Sequence, residues 1–304
     1  MRYIRRSVRS TEGLARLTTK PAFAVSRAIK REKPRAAASA DEAGKSARLS
    51  GIMREEPVPI RNHPDPLVSV VVPAMNEAER IGAVLAQAGA VHPQSEVIVV
   101  ANGCRDQTEA IAARMGARVL SFPEPLGHDV GRSIGAREAK GGIILFIDSD
   151  MVISAEELKP FVYAVQSGVD VALNNYNGPI HRQPVHRVIL AKFTLNSMLG
   201  RSDLMGASMT AIPHALSRKA LEVIGAEALS VPPKAMVTAV CRGLRVETVH
   251  SVEVGKRNPG RSAGADPLER LVLGDHLEAL YELAMQRGPR GGFSNGERRR
   301  DLVR

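Results

Sequence analysis

Two hydrophobic rhythms alternate along the first half of the folded part of the chain. Short unbroken apolar runs, Leu67-Val-Ser-Val-Val-Val-Pro73, Glu96-Val-Ile-Val-Val-Ala101, Arg118-Val-Leu-Ser-Phe122 and Ile143-Ile-Leu-Phe-Ile147, predict strands covered on both faces. Between them, apolar residues return at helical spacing: Ile81, Val84, Leu85 and Ala88, then Thr108 to Met115, then Val130 to Lys140. Strand and helix thus alternate three times before the fourth strand, the pattern of an α/β fold with a mainly parallel central sheet and helices on both faces. Further on, Leu244 to His250 reads as a strand. Leu268 to Gln286 reads as a closing amphipathic helix that packs through Leu271, Leu273, Leu277, Leu280 and Leu283. The rhythm delimits a tail and linker over 1–64, a folded body over 65–287 (65–152, 153–265 and a closing helix 266–287), and a Gly/Arg-rich end over 288–304 that is expected to fray. A short helix is expected near Ala22 to Arg31.

Composition narrows this picture. A chain of 304 residues with 44% hydrophobic content buries a sizeable core, and with no Trp that core must be aliphatic. The net charge of +10 suggests a polyanion partner until its location is read: residues 1–60 carry fourteen Lys/Arg and six Asp/Glu, and the remainder carries 28 basic against 26 acidic residues. A basic tail on a nearly neutral body suits a solubilising leader, or peripheral contact with an anionic membrane worth about 1 kcal/mol per basic side chain. Nucleic acid is not the expected partner. Two cysteines, Cys104 and Cys241, make no disulfide framework, and no Cys/His cluster has zinc spacing, so a cytoplasmic setting is expected. No stretch approaches the roughly 20 apolar residues that span a bilayer.

Candidate chemistry sits where the fourth strand ends, at Asp148-Ser-Asp150. Extended chain places residues i and i+2 on one side, so both carboxylates face one point. Mg²⁺ or Mn²⁺ prefers such oxygen ligands and is commonly held by one or two carboxylates with substrate phosphates. In parallel sheets the ligand lies beyond the carboxyl ends of the strands, which groups Pro73 to Glu77, Asn102 to Asp106 and Asp148 to Asp150 in one crevice. No Gly-x-Gly-x-x-Gly follows the first strand, which argues against a dinucleotide fold, and no Gly-rich triphosphate loop supports a nucleotidyltransferase.

The first-strand exit Val-Val-Val-Pro-Ala-Met-Asn-Glu77, the turn Asn-Gly-Cys-Arg-Asp-Gln-Thr108, the helix Gly-Arg-Ser-Ile-Gly135 and the strand Phe-Ile-Asp-Ser-Asp-Met151 together resemble the successive motifs of family 2 glycosyltransferases of the GT-A fold. The resemblance covers about Leu67 to Val246. It implies a nucleotide-sugar-binding half over 65–152, an acceptor half over 153–265, and metal-dependent hexosyl transfer from a nucleoside diphosphate sugar, a UDP-sugar in preference to a GDP-sugar. By position it implies that Pro73, Asn76 and Glu77 cradle base and ribose, that Asp106 supports that pocket, and that Arg132 approaches the diphosphate. Asp148 would lie near the ribose, with Asp150 a direct metal ligand and His250 a third ligand. Lys256 and Arg257 would clamp phosphates.

The departures are equally specific. Many members end the second strand with an Asp that contacts the base, where this chain has Ala101 and Asn102. The acceptor-side strand and helix are expected within Gly206 to Gly225, but the acidic pair that supplies the base in inverting members is replaced by Leu229-Ser-Val-Pro-Pro-Lys-Ala-Met236. Lys234 is a poor substitute. Three accounts stay open: another carboxylate such as Asp203 or Glu227 serves, the reaction retains configuration, or the acceptor is itself acidic, for instance a phosphate. His181, Arg182, His186 and Arg187 lie between the two halves and fit either a basic wall on the acceptor side or an exposed segment, and their spacing does not separate the two. Two other function classes follow from the same residues: a nucleotide-sugar-binding protein without transfer activity, and a polyanion-binding protein acting through the tail.

Overall fold

The computed structural model describes residues 59–257 and 268–303, and the basic segment with its expected short helix lies outside the described residues. The first four apolar runs form β1 (Val68–Ala74), β2 (Ser95–Asn102), β3 (Arg118–Phe122) and β4 (Ile143–Phe146). Helices α1 (Ile81–Gly89), α2 (Thr108–Arg114) and α3 (Val130–Glu138) connect them as expected from the periodicity. The later part adds α4 (Ala155–Gln166), β5 (Val171–Asn174), α5 (Arg187–Met198), β6 (His214–Ser217), α6 (Arg218–Ile224), α7 (Pro232–Cys241), β7 (Val246–His250), α8 (Val254–Arg257) and α9 (Glu269–Arg287).

The strands make one seven-stranded sheet in the order β3-β2-β1-β4-β6-β5-β7. β1 to β4 run parallel, and β6 runs antiparallel to both β4 and β5. Each face has its own aliphatic core. Val68, Val70 and Val72 of β1 face the layer holding α1 and α4, while Val71 faces the layer holding α6 and α7. The period-2 alternation of a strand divides its side chains this way. The tightest helix-to-sheet approach is at α3: a Cβ on Gly135 would collide with Val71 Cγ1, so this glycine lets the helix lie close over β1.

Two expectations change. The buried positions of α9 are His276, Ala279 and Leu283, whereas Leu271 and Leu277 are exposed, Leu277 to 68%. The helix crosses α5 and α7 along one stripe, and the opposite stripe, Leu277, Tyr281 and Met285, faces outward. Residues 288–303, expected to fray, form hydrogen-bonded turns, with Gly291 N–H donating to Gly288 O at 2.8 Å and Arg290 Nε to Phe293 O at 3.0 Å, and a final 3₁₀ turn at Arg300–Val303. Among the described residues no helix is long and apolar enough to cross a membrane.

Candidate active site

Because β1, β2 and β4 are parallel, their carboxyl ends open at one edge of the sheet, and there the chain forms a crevice of about 380 Å³. Pro73 and Glu77 leave β1, Asn102 leaves β2, and Asp148 to Asp150 leave β4 to line it. The alternation is visible in exposure: Ser149 is buried, while Asp148 and Asp150 on either side are half-buried. The remaining wall is the turn and first helical residues from Gly127 to Arg132.

Polar side chains tie the loops of this crevice together. Asp106 accepts from Ala78 N at 3.1 Å, Thr108 N at 2.9 Å and Thr108 Oγ1 at 2.5 Å, and Thr108 Oγ1 in turn accepts from Glu77 N at 2.8 Å. The Thr108 hydrogen bonds hold the Asp106 carboxyl below its usual range. Asn76, in the left-handed region at φ 57°, accepts from Arg105 N at 2.7 Å. Neither Asn76 nor Asp106 lines the crevice; both fasten the β1 exit to the β2 exit. Asn102 does line it, but its amide is committed: it donates to Gly127 O at 3.1 Å and accepts from Leu126 N at 2.5 Å. Asn102 therefore shapes the wall.

The electrostatic centre is Arg132. Its side chain is 5% exposed and bridges two carboxylates, Asp129 Oδ1 at 2.9 Å and Asp148 Oδ1 at 3.2 Å. Burial opposes its charge, yet Asp148 and Asp129 outweigh burial and raise its pKa. Asp129 sits just before α3 at φ 63°, and burial pushes its carboxyl up against the downward pull of Arg132. Behind this cluster, His214 stacks on Phe146 with centroids 4.8 Å apart, and its Nδ1–H donates to Ala211 O at 2.9 Å. Burial and the charge of Arg132 depress its pKa to about 3, so it is a neutral wall of the arginine site. Lys192 of α5 lies within electrostatic reach of the cluster, its pKa lowered to about 8 by burial and then by Arg132.

Several sequence candidates lie elsewhere. Asp203 is exposed and forks onto Arg201 Nε at 2.9 Å and Nη2 at 2.7 Å, which holds its carboxyl low; it does not line the crevice. Glu227 is exposed and pairs at 3.7 Å with Arg137, at the end of α3 away from the crevice. Lys234 follows the two prolines that open α7 and pairs with Glu278 of α9 at 3.6 Å. His250 is the largest correction: it ends β7, three strand spacings from β4, roughly 14 Å across the sheet, and packs edge-on against Phe161 of α4. Lys256 and Arg257 belong to α8, and their side chains lie outside the described residues. His181 is exposed in the loop before α5, while Arg182, His186 and Arg187 line a second cavity.

Among the described residues no three His, Cys, Asp or Glu side chains gather at one point. The donor set at the crevice is the pair Asp148 and Asp150, two hard oxygen ligands, which suits Mg²⁺ or Mn²⁺ completed by phosphate oxygens and water. One oxygen of Asp148 is engaged by Arg132 at 3.2 Å, which fixes that carboxylate at the crevice. Asp129 and Lys192 carry no sequence motif. For Lys192 the one signal is a charge inside the otherwise apolar stretch Val188-Ile-Leu-Ala-Lys-Phe193.

Comparison with known proteins bears on this geometry. Glycosyl transferase family 2 matches residues 69–221, just over half of the chain and all four strand exits. The chain belongs to that family. Relatives include an uncharacterized glycosyltransferase of Mycobacterium tuberculosis, 36% identical over 104 residues (34% of this chain and 46% of that protein). The glycosyltransferase AglE of Haloferax volcanii is 34% identical over 119 residues (36% and 39%), and a glucosyl-3-phosphoglycerate synthase of Mycolicibacterium paratuberculosis is 30% identical over 131 residues (38% and 38%). The chain spans less than half the length of these relatives. Among solved structures, glucosyl-3-phosphoglycerate synthase from Mycobacterium tuberculosis in complex with Mn²⁺, UDP and phosphoglyceric acid superposes with a TM-score of 0.54 at 21% identity, covering 76% of this chain and 80% of that one. The fold of this family member is GT-A, as its motifs suggested.

Proposed function

We propose that this chain transfers a hexosyl group from a nucleoside diphosphate sugar to an acceptor, with the donor held in the crevice beyond β1, β2 and β4. The observation that carries the reading is Asp148 and Asp150 facing one crevice, with a buried arginine locked between Asp148 and Asp129. Pro73 and Glu77 supply the wall for the nucleoside. Asp150, with Asp148 oriented by Arg132, would hold Mg²⁺ or Mn²⁺. A cation held there would supply Lewis-acid stabilisation to the leaving diphosphate. A UDP-sugar is the favoured donor, supported by the Mn²⁺ and UDP bound to the synthase of similar fold.

The test is a panel of nucleoside diphosphate sugars incubated with Mn²⁺ or Mg²⁺ and followed by release of the nucleoside diphosphate. One donor should turn over slowly even without acceptor, and Asp150→Asn should slow that release on the order of 10²-fold or more. Tight binding of a donor with no release under any condition would favour a sugar-nucleotide-binding protein. No binding and no release with every donor would sink both readings.

A further inference from the structure

The donor crevice is lined by four carboxylates, Glu77, Asp129, Asp148 and Asp150, and by one guanidinium, Arg132. That guanidinium is already engaged, because Asp129 and Asp148 both hold it. A divalent cation on Asp148 and Asp150 would offset two of the negative charges, and with all four carboxylates ionised the lining would stay negative by one. The diphosphate of a nucleotide sugar is itself an anion, so its binding calls for a further cation in the wall. Among the described residues that line the crevice, His128 is the one basic side chain left.

The backbone presents this ring from a fixed turn. On one side Asn102 grips the two preceding residues, through Leu126 N and Gly127 O. On the other, Asp129 takes the left-handed conformation at φ 63°, with Val130 N donating to His128 O and Arg132 N to Asp129 O, each at 2.9 Å, as α3 begins. The Asp129 carboxylate divides its oxygens: Oδ1 meets Arg132 at 2.9 Å and Oδ2 meets His128 Nε2 at 3.5 Å. The Asp129 side chain is 4% exposed and the His128 side chain 40%, so a buried anion backs an open ring. With Nε2 turned to Asp129, Nδ1 is the nitrogen left for a ligand in the crevice.

We infer that His128 is a donor-binding residue: as an imidazolium it bridges the buried Asp129 carboxylate and the donor's diphosphate, which makes donor affinity depend on pH near neutrality. The inference rests on the donor reading of this crevice. A protonated ring donates from both nitrogens, one to Asp129 and one to a phosphate oxygen. A neutral ring keeps a single N–H, so one of the two anions then faces a lone pair, and the positive charge is gone as well. The charged groups around the ring come from every neighbouring element: Asp129 and Arg132 at the start of α3, Glu77 at the β1 exit, Asp148 and Asp150 at the β4 exit, and Asp275 of α9, which lies within electrostatic reach. The same arrangement accounts for Asn102. Where many family members place an Asp against the base, this chain has an amide that fixes the turn carrying His128.

The test measures binding of UDP-glucose and of GDP-mannose to the full chain with Mg²⁺ by calorimetry, at about pH 6 and about pH 8.5, on either side of the range where histidine changes charge. Parent, His128→Gln and His128→Lys are compared. A diphosphate esterified at both ends keeps its charge over this range, so the titration belongs to the protein. For the donor that binds, parent affinity should fall about tenfold between the lower and the higher pH. His128→Gln should bind about tenfold more weakly than the parent at the lower pH and within about threefold of it at the higher. His128→Lys, a point charge that keeps its proton, should bind at the higher pH at least as tightly as the parent. The Gln-to-parent comparison at each pH removes whatever the surrounding carboxylates contribute. A parent affinity that changes less than about threefold with pH, or a Gln-to-parent ratio that is the same at both pH values, overturns the inference, and the parent profile decides it even where a variant fails to fold. If the parent binds neither donor, the donor reading itself falls; if it binds one with a flat profile, that reading stands and only the role of His128 falls.

Discussion

Replacing Arg132 by Met should cost most of its stability through one neighbour, Asp129, and the cost should depend on pH. Methionine keeps the length of the stem but removes the cation that bridges Asp129 at 2.9 Å and Asp148 at 3.2 Å. Asp148 is 35% exposed and can rehydrate, so it adds little. The Asp129 side chain is 4% exposed and cannot, so it either stays charged in an apolar wall or takes up a proton. Protonation caps the loss: for a carboxyl of ordinary pKa 3.8 it costs about 4.4 kcal/mol at pH 7 and about 1.6 kcal/mol at pH 5. Breaking a buried pair usually costs 3–5 kcal/mol, so the expected loss is about 3–4 kcal/mol at pH 7 and about 1–2 kcal/mol at pH 5. The sign follows from linkage. A carboxyl whose pKa is raised on folding makes the native state bind the extra proton, so stability falls as pH climbs above the unfolded value, by up to about 1.4 kcal/mol per pH unit. Urea unfolding of parent and variant at pH 5, 6 and 7 measures this directly. Adding Asp129→Asn, a neutral side chain that tolerates the left-handed backbone, should restore most of the loss at pH 7. Equal losses at pH 5 and pH 7, or a loss below about 1 kcal/mol at pH 7, would refute the reasoning.

Other expectations are simpler. Gly135→Val should destabilise by about 2–3 kcal/mol in denaturant unfolding, because the new Cβ meets the stiff Val71 side chain on a central strand. His214 carries a pKa of about 3 against 6.5 when unfolded, so it costs stability as pH falls below 6.5, about 2 kcal/mol by pH 5. His214→Phe should therefore gain about 2 kcal/mol relative to the parent between pH 8 and pH 5, whatever its offset at pH 8, as read from urea midpoints. Asp150→Asn should abolish the metal dependence of nucleoside diphosphate release while leaving the urea midpoint within about 1 kcal/mol of the parent, since Asp150 is half-buried at the crevice edge.

The first four strands and three helices were legible because β-branched runs and helical spacing are local signals, and the structure repeats them within a residue or two. Helix α4 had a readable start in the Ser154/Glu157 capping box and an apolar face at Leu158, Phe161, Val162 and Val165, with Pro160 obscuring it. Helix α9 misled, because its leucines do not follow its contact stripe: only Leu283 among them is fully buried, and Leu277 stands in solvent. Apolar residues on a helix say that a face will be covered, and the neighbours decide which.

At the site the division is similar. Sequence alone grouped the β1, β2 and β4 exits, with Asp148 and Asp150, at one edge of the sheet, because parallel strands must point their carboxyl ends the same way. Tertiary structure decided which polar side chains face that crevice and which are spent inside the protein. Asp106, Asn76 and Asn102 are consumed in loop-to-loop hydrogen bonds, and His250 stays three strands away. Asp129 and Lys192, 63 positions apart and without a motif, are both brought within electrostatic reach of Arg132. Charge acts through space and burial, and neither is written in the spacing of residues along the chain.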